Sequence, residues 1–154
     1  MVPSPEPVEI IGASRLSRLA KDEDLIPIVA GGGGIPVIAT PEGLEGVEAV
    51  IDKDAVASLL ATVIGADLLA IVTDVPAVYL DYGRETQQPL REMTIAEARA
   101  YLREGQFPRG SMGPKIQAAL RFLEEGGPLV VITDAENLVS AVAGLTGTRL
   151  LPRQ

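Results

Sequence analysis

Apolar and polar positions change rhythm along this chain, and each change predicts an element. The opening Val2-Pro3-Ser4-Pro5-Glu6-Pro7 sets proline at every second position and predicts extended backbone. Ala13 to Lys21 carries the spacing of a short amphipathic helix. Leu25 to Ala30 is a short apolar run that fits a buried strand, with Pro27 favouring a sheet edge, and Gly31 to Gly34 end it. Glu48 to Ile51 predicts a second short strand, leading into Asp52-Lys53-Asp54. Helical spacing then runs from Ala55 to Gly65, with Gly65 suited to the C-cap.

Asp67 to Val72 predicts a central strand whose carboxyl end is Thr73-Asp74. Extended chain from Val75 to Leu80 precedes a polar turn around Tyr82-Gly83-Arg84. Thr94 and Glu97 have capping-box spacing for a helix reaching about Glu104 and stopped by Gly105. Ser111 is placed to cap the next helix, which runs to about Glu125. Pro128 to Ile132 predicts another buried strand. Thr133 and Glu136 repeat the capping-box spacing before a helix to about Ala143, and Gly147 to Leu151 closes the pattern as a strand.

Strands and helices alternating in this way predict an α/β protein, a three-layer α/β/α sandwich on a mainly parallel sheet. Ligands of such sheets bind beyond the carboxyl ends of the strands. The glycine run, Thr73-Asp74 and Thr133-Asp134 all fall at such ends.

Composition narrows the chemistry. The 154 residues suffice for one domain with a real core, and apolar residues at 47% with charged ones at 22% are an ordinary globular balance. Cys and His are both absent, which removes thiol nucleophiles, disulfides, the usual general base and the commonest metal ligands. A net charge of −8 and 3% aromatic residues argue against a nucleic-acid partner. No apolar run is long enough for a membrane span, and the N-terminus lacks signal-peptide pattern, so the expected location is cytoplasmic.

Lysine is scarce, and two of its three occurrences stand in unusual local sequences, Lys53 and Lys115. A compact ammonium suits a transferring phosphate, because it follows moving charge without a fixed fork geometry. Gly31, Gly32, Gly33 and Gly34 suit a tight turn, or a loop whose bare amides cradle an anionic oxygen. Asp52-Lys53-Asp54 reads either as a solvated turn that caps the following helix, or as Lys53 on a phosphate with Asp54 fixing nearby lysines. Gly110-Ser111-Met112-Gly113-Pro114-Lys115 is more informative, since free amides, helix dipole and Lys115 converge on an anion site. A lysine in the first turn opposes the dipole, and a bound anion would reverse that sign. Thr73-Asp74 can contact a nucleotide or metal, or simply end a strand. Tyr79 and Tyr82 can flank an adenine or serve as packing.

In this order the pieces resemble the carbamate kinase family of the amino-acid kinase superfamily. The matching stretches are Val2 to Pro7, Ala30 to Val37, Gly46 to Asp54, Ala66-Asp67, Thr73-Asp74-Val75, Glu104 to Pro108 and Gly110 to Lys115, ending with Gly147-Thr148. The resemblance implies an acceptor lobe and a nucleotide lobe, with reversible phosphoryl transfer between ATP and carbamate to give ADP and carbamoyl phosphate. It implies Mg²⁺ on the nucleotide phosphates rather than in a protein cage. Gly31 to Gly34 would line the acceptor, Lys53 and Lys115 would face phosphates, and Asp54 would organise them. Thr73, Asp74, Val75, Tyr79, Tyr82, Met112 and Gly113 would belong to the nucleotide site.

Two departures from the family pattern stand out. Some members carry a further lysine where this chain has Leu59. Members are also about twice as long, and the part expected to be absent is the front half, with a second glycine loop and another catalytic lysine. Residues 1–54 would then be the trailing part of the acceptor lobe and 55–154 the nucleotide lobe. Uncovered strand edges and an apolar face are expected to lead to a homo-oligomer, to pairing with a front half, or to a longer product. The functions in play are a carbamate kinase active within a larger whole, an isolated ATP/ADP-binding module, and a remnant without a ligand.

Overall fold

A computed structural model of the chain describes residues 2–152. After a proline-rich segment without regular secondary structure comes α1 (Ala13–Leu19), then an antiparallel hairpin of β1 (Val37–Thr40) and β2 (Gly43–Gly46), then α2 (Lys53–Ile64). The remainder is β3 (Leu69–Val72), β4 (Val78–Leu80), β5 (Gln88–Leu90), β6 (Glu92–Thr94), α3 (Ile95–Arg103), α4 (Met112–Glu124), β7 (Val130–Thr133), α5 (Leu138–Val142) and β8 (Thr148–Leu151).

The main sheet has the order β3-β7-β8-β6. β3 with β7 and β6 with β8 are parallel, and β7 with β8 is antiparallel. Pleating sends Leu69, Ile71, Val130 and Ile132 into one core with Ile116, Ala119 and Phe122 of α4. α2 packs on α4 behind them, while α5 packs on β7 with Ala141 fully buried. Val131 points away from that core and is equally buried, so both faces of β7 are covered. This is the expected α/β sandwich, with a mixed sheet.

Caps behave as their chemistry requires. Asp52 has extended backbone and accepts from the amides of Asp54 at 2.8 Å and Ala55 at 3.1 Å, which starts α2. Gly65 ends it at φ 70°. At α3 the full capping box forms: the Thr94 amide and hydroxyl each donate to Glu97 at 2.8 Å, and the Glu97 amide donates back at 3.3 Å. The two Thr94 bonds, the backbone one first, hold the Glu97 carboxyl below its ordinary value of 4.5. A depressed carboxyl stabilises the fold above its unfolded pKa, and the contribution is lost as pH falls through the lower folded value. Thr94→Ala is therefore expected to cost about 1 kcal/mol near neutrality. In urea titrations that difference should narrow in acid, as Glu97 is protonated in both proteins.

Several elements differ from expectation. Leu25 to Ala30 forms no strand, because no strand among the described residues lies beside it. Glu48 to Ile51 is also irregular: the Ala49 amide turns back to Val47 and the Val50 amide donates to Pro3 at 3.0 Å. The β1–β2 hairpin was not foreseen, although Val-Ile-Ala-Thr followed by Pro41-Glu42-Gly43 carries its signal. β3 is an edge of the sheet instead of its centre. Thr133 and Glu136 make no capping box, because Thr133 is the last residue of β7 and its hydroxyl donates to Pro76 at 3.2 Å. Asp134 closes that turn by accepting from the Asn137 amide and side chain. Ser111 occupies the N-cap position of α4 without a side-chain bond.

Candidate active site

The first locus joins the starts of α2 and α4. Lys115 Nζ donates to Asp54 Oδ2 at 2.8 Å, with both side chains about nine-tenths buried. Asp54 lies in the first turn of α2, where the helix dipole favours a carboxylate. Lys115 is the fourth residue of α4, where the dipole disfavours an ammonium. Asp54 supplies the anion that offsets that cost. Of the two lysines expected near Asp54, Lys115 is the one paired with it. Lys53 is exposed and makes no ion pair among the described residues.

The glycine run is attached to the same locus through its backbone. Gly33 is buried at φ 139°, and a Cβ there would collide with the Ile51 carbonyl, one residue before the Asp52 cap. Within the run, the Gly33 and Gly34 amides donate to Ala30 and the Gly31 amide donates to Val29. Three of the four amides are therefore engaged inside the loop, and fewer are free for a ligand than the sequence suggested. Ala30 itself sits at φ 61°, so the turn is tightly wound. It is a shaped loop, seated on the segment that leads into α2.

The second locus is a cleft beyond the carboxyl end of β3. Thr73, Asp74 and Val75 form one wall, Tyr79 and Tyr82 another, and Gln106, Phe107, Pro108, Ser111 and Met112 complete it. The tyrosine rings stand 5.8 Å apart and tilted by 54°. Their hairpin, β4–β5, is fastened to the core by the buried Thr148 hydroxyl, which accepts from the Val78 amide at 2.8 Å and donates to the Leu90 carbonyl at 2.6 Å. The Asp81 amide donates to Gln106 Oε1 at 2.9 Å, tying the hairpin to the loop before α4.

Six of the eight residues expected at a nucleotide line this one cleft, Thr73, Asp74, Val75, Tyr79, Tyr82 and Met112, while Gly113 and Lys115 do not. Gly113 stands behind it, where its amide donates to Pro108 at 2.9 Å and a Cβ would press on the same carbonyl at 3.0 Å. Gln106, Phe107, Pro108 and Ser111 were missed as lining residues. Their signal was membership in Glu104 to Pro108 and Gly110 to Lys115, two of the stretches that resemble the family, and position in the loop that delivers α4. Met112 precedes Lys115 by one helical turn, so α4 links the cleft to the buried pair.

The architecture is a class already seen in solved structures. The carbamate kinase of Giardia lamblia bound to AMP-PNP superposes with a TM-score of 0.94 at 38% identity, over 99% of this chain and 48% of that one. In sequence, residues 3–134 match the amino acid kinase family, and the chain belongs to that family. The carbamate kinase of Thermoplasma acidophilum is 47% identical over 96% of this chain and 48% of its own length. The carbamate kinase-like protein YahI of Escherichia coli is also 47% identical, over 98% of this chain and 48% of its own. The chain spans about half the length of the curated relatives it matches.

Proposed function

We propose that this chain is the nucleotide-handling half of a carbamate kinase-type phosphotransferase, with residues 55–154 as the nucleotide lobe and 1–54 as part of the acceptor lobe. The observation that carries the reading is the buried Lys115–Asp54 pair, which couples the segment beside the glycine loop to the helix that begins at the cleft. Lys115 has three N–H donors and gives one to Asp54, leaving two for phosphate oxygens. In the direction that makes ATP, a β-phosphate oxygen of ADP attacks the phosphorus of carbamoyl phosphate. The new P–O bond forms as the bond to the carbamate oxygen breaks, and carbamate leaves with that electron pair. Lys115 offsets charge on the phosphoryl group in flight, and Lys53 serves the phosphates from the exposed side. Such transfer depends on positioning and charge neutralisation and needs no histidine.

The tyrosines, Val75 and Met112 offer apolar surface to an adenine, with Thr73, Asp74 and Gly113 near the ribose or phosphates. Among the described residues no cluster of three acidic side chains forms a metal cage. Asp74, exposed at the cleft, fits as a single carboxylate towards a Mg²⁺ held mainly by the nucleotide's phosphates. Bound there, the ion would neutralise phosphate charge.

A second reading is an ATP/ADP-binding module without transfer activity, favoured by the half-length match to the relatives. The two are separated in one series. Tryptophan is absent and two of the three tyrosines line the cleft, so Mg-ADP binding should change tyrosine emission. Calorimetry gives the affinity, and ATP formation from carbamoyl phosphate tests transfer. Binding with ATP formation supports the kinase, and binding without it supports the module. No binding by folded protein would overturn both.

A further inference from the structure

One side chain of the cleft has its polarity set by the fold. Gln106 lies in the loop before α4, and its Oε1 accepts from the Asp81 amide at 2.9 Å. Only the oxygen of a carboxamide can take that hydrogen, so the Nε2 end is turned away from Asp81. Nε2 has no protein acceptor among the described residues and is not sealed from water, which leaves its N–H groups free in the cleft. The group that fixes Gln106 is held in turn. Asp81 stands at φ 50°, where residues other than glycine seldom sit, and its carboxylate accepts from the Thr86 hydroxyl at 2.9 Å.

Its place in the cleft decides which part of a nucleotide it meets. Asp81 directly precedes Tyr82, so Gln106 stands at the aromatic end, whereas Lys115 lies one helical turn beyond Met112. On the nucleotide reading proposed above, that end takes the base. One purine differs from another there in which edge atoms carry hydrogen. The hydroxyls of Thr73, Tyr79, Tyr82 and Ser111 rotate to donate or accept and so adapt to either pattern. Asp74 is assigned to the Mg²⁺. Gln106 is the lining side chain whose hydrogens cannot be exchanged for a lone pair, because the Asp81 bond keeps its amide from flipping.

We propose that Gln106 is a specificity-determining residue: it donates to N1 of an adenine and selects that base against purines that carry a hydrogen at N1. Hypoxanthine and guanine carry that hydrogen and would set donor against donor, which strands both groups. The inference rests on the nucleotide reading of the cleft. Calorimetry with the Mg²⁺ complexes of ADP, IDP and 1-deaza-ADP tests the two separately. The parent should bind ADP about tenfold more tightly than either analogue, the worth of one well-placed hydrogen bond. Gln106→Glu keeps an oxygen for the Asp81 amide and turns a carboxylate oxygen towards N1. Its order should invert, with IDP bound about tenfold more tightly than ADP. Gln106→Leu removes the donor, so ADP and 1-deaza-ADP should bind equally. A purely structural part for Gln106, holding the tyrosine hairpin, would weaken all three nucleotides alike and leave the parent's order in both variants. That result, or a parent that binds ADP and 1-deaza-ADP equally, would overturn the inference and leave the nucleotide reading standing. A folded parent that binds none of the three would overturn both.

Discussion

Lys115→Met is expected to destabilise the protein by about 3 kcal/mol, the lower end of the cost of stranding one member of a buried ion pair. Methionine keeps the apolar stem, so the loss reports on the charge. The Asp54 carboxylate would remain about nine-tenths buried with its 2.8 Å partner removed. Asp54→Asn should cost less, roughly 2 kcal/mol, because the flexible Lys115 stem can carry its ammonium towards water. The double variant should lie within about 1 kcal/mol of the parent, since removing both charges also removes the desolvation that each suffers. Urea unfolding of the four proteins completes the cycle. If the single substitutions add to give the double, the two groups are not coupled and the pair has no structural role.

That cycle also isolates function. A folded Asp54→Asn/Lys115→Met protein lacks the ammonium assigned to phosphate. Its affinity for ADP should fall by about 1.5–3 kcal/mol, at least tenfold in Kd, while adenosine binding is unchanged. Equal affinity for ADP in the parent and the double variant would remove Lys115 from the phosphate site and leave it a structural residue only.

The second half of the chain was legible because its signals are local. The Thr94–Glu97 box, the Gly65 stop and the apolar runs at β3 and β7 each act within a few residues, and each forms where the sequence placed it. The front was not, because strand formation is a pairing property. Leu25 to Ala30 has the right side chains and no neighbouring strand, so composition alone misled. Thr133 shows a similar limit, since its capping-box spacing lost to a place in the sheet ladder.

The site divides the same way. A motif such as Gly110 to Lys115 identifies an unusual helix start, but not which anion meets Lys115. That anion comes from Asp54, 61 residues earlier, and no local pattern encodes such a distance. The cleft was readable as a set of residues at strand ends. Its far wall, Gln106 to Pro108, depends on how the loop before α4 folds back, as the Asp81–Gln106 bond shows.

Gly33→Ala is expected to cost about 3 kcal/mol, from a backbone region that alanine adopts poorly and from overlap with a fixed carbonyl. Residue 33 stands at φ 139° with its missing Cβ directed at the Ile51 carbonyl, which cannot move without dragging the Asp52 cap. Its neighbour supplies the control. Gly32 lies outside the positive-φ region and nothing approaches within 4 Å of its Cβ position. Gly32→Ala should therefore leave stability unchanged or raise it by about 0.5 kcal/mol, through a less flexible unfolded chain. Denaturant midpoints for the two variants decide whether the loop is seated or free. Equal midpoints would mean that the glycines are a floppy connector, and that nothing holds the run against α2. A large loss at Gly33 alone would mean that the loop, the Asp52 cap and the Asp54–Lys115 pair form one rigid unit. Glycine at residue 33 is then required for seating, while Gly32 keeps the one amide that the loop leaves unused.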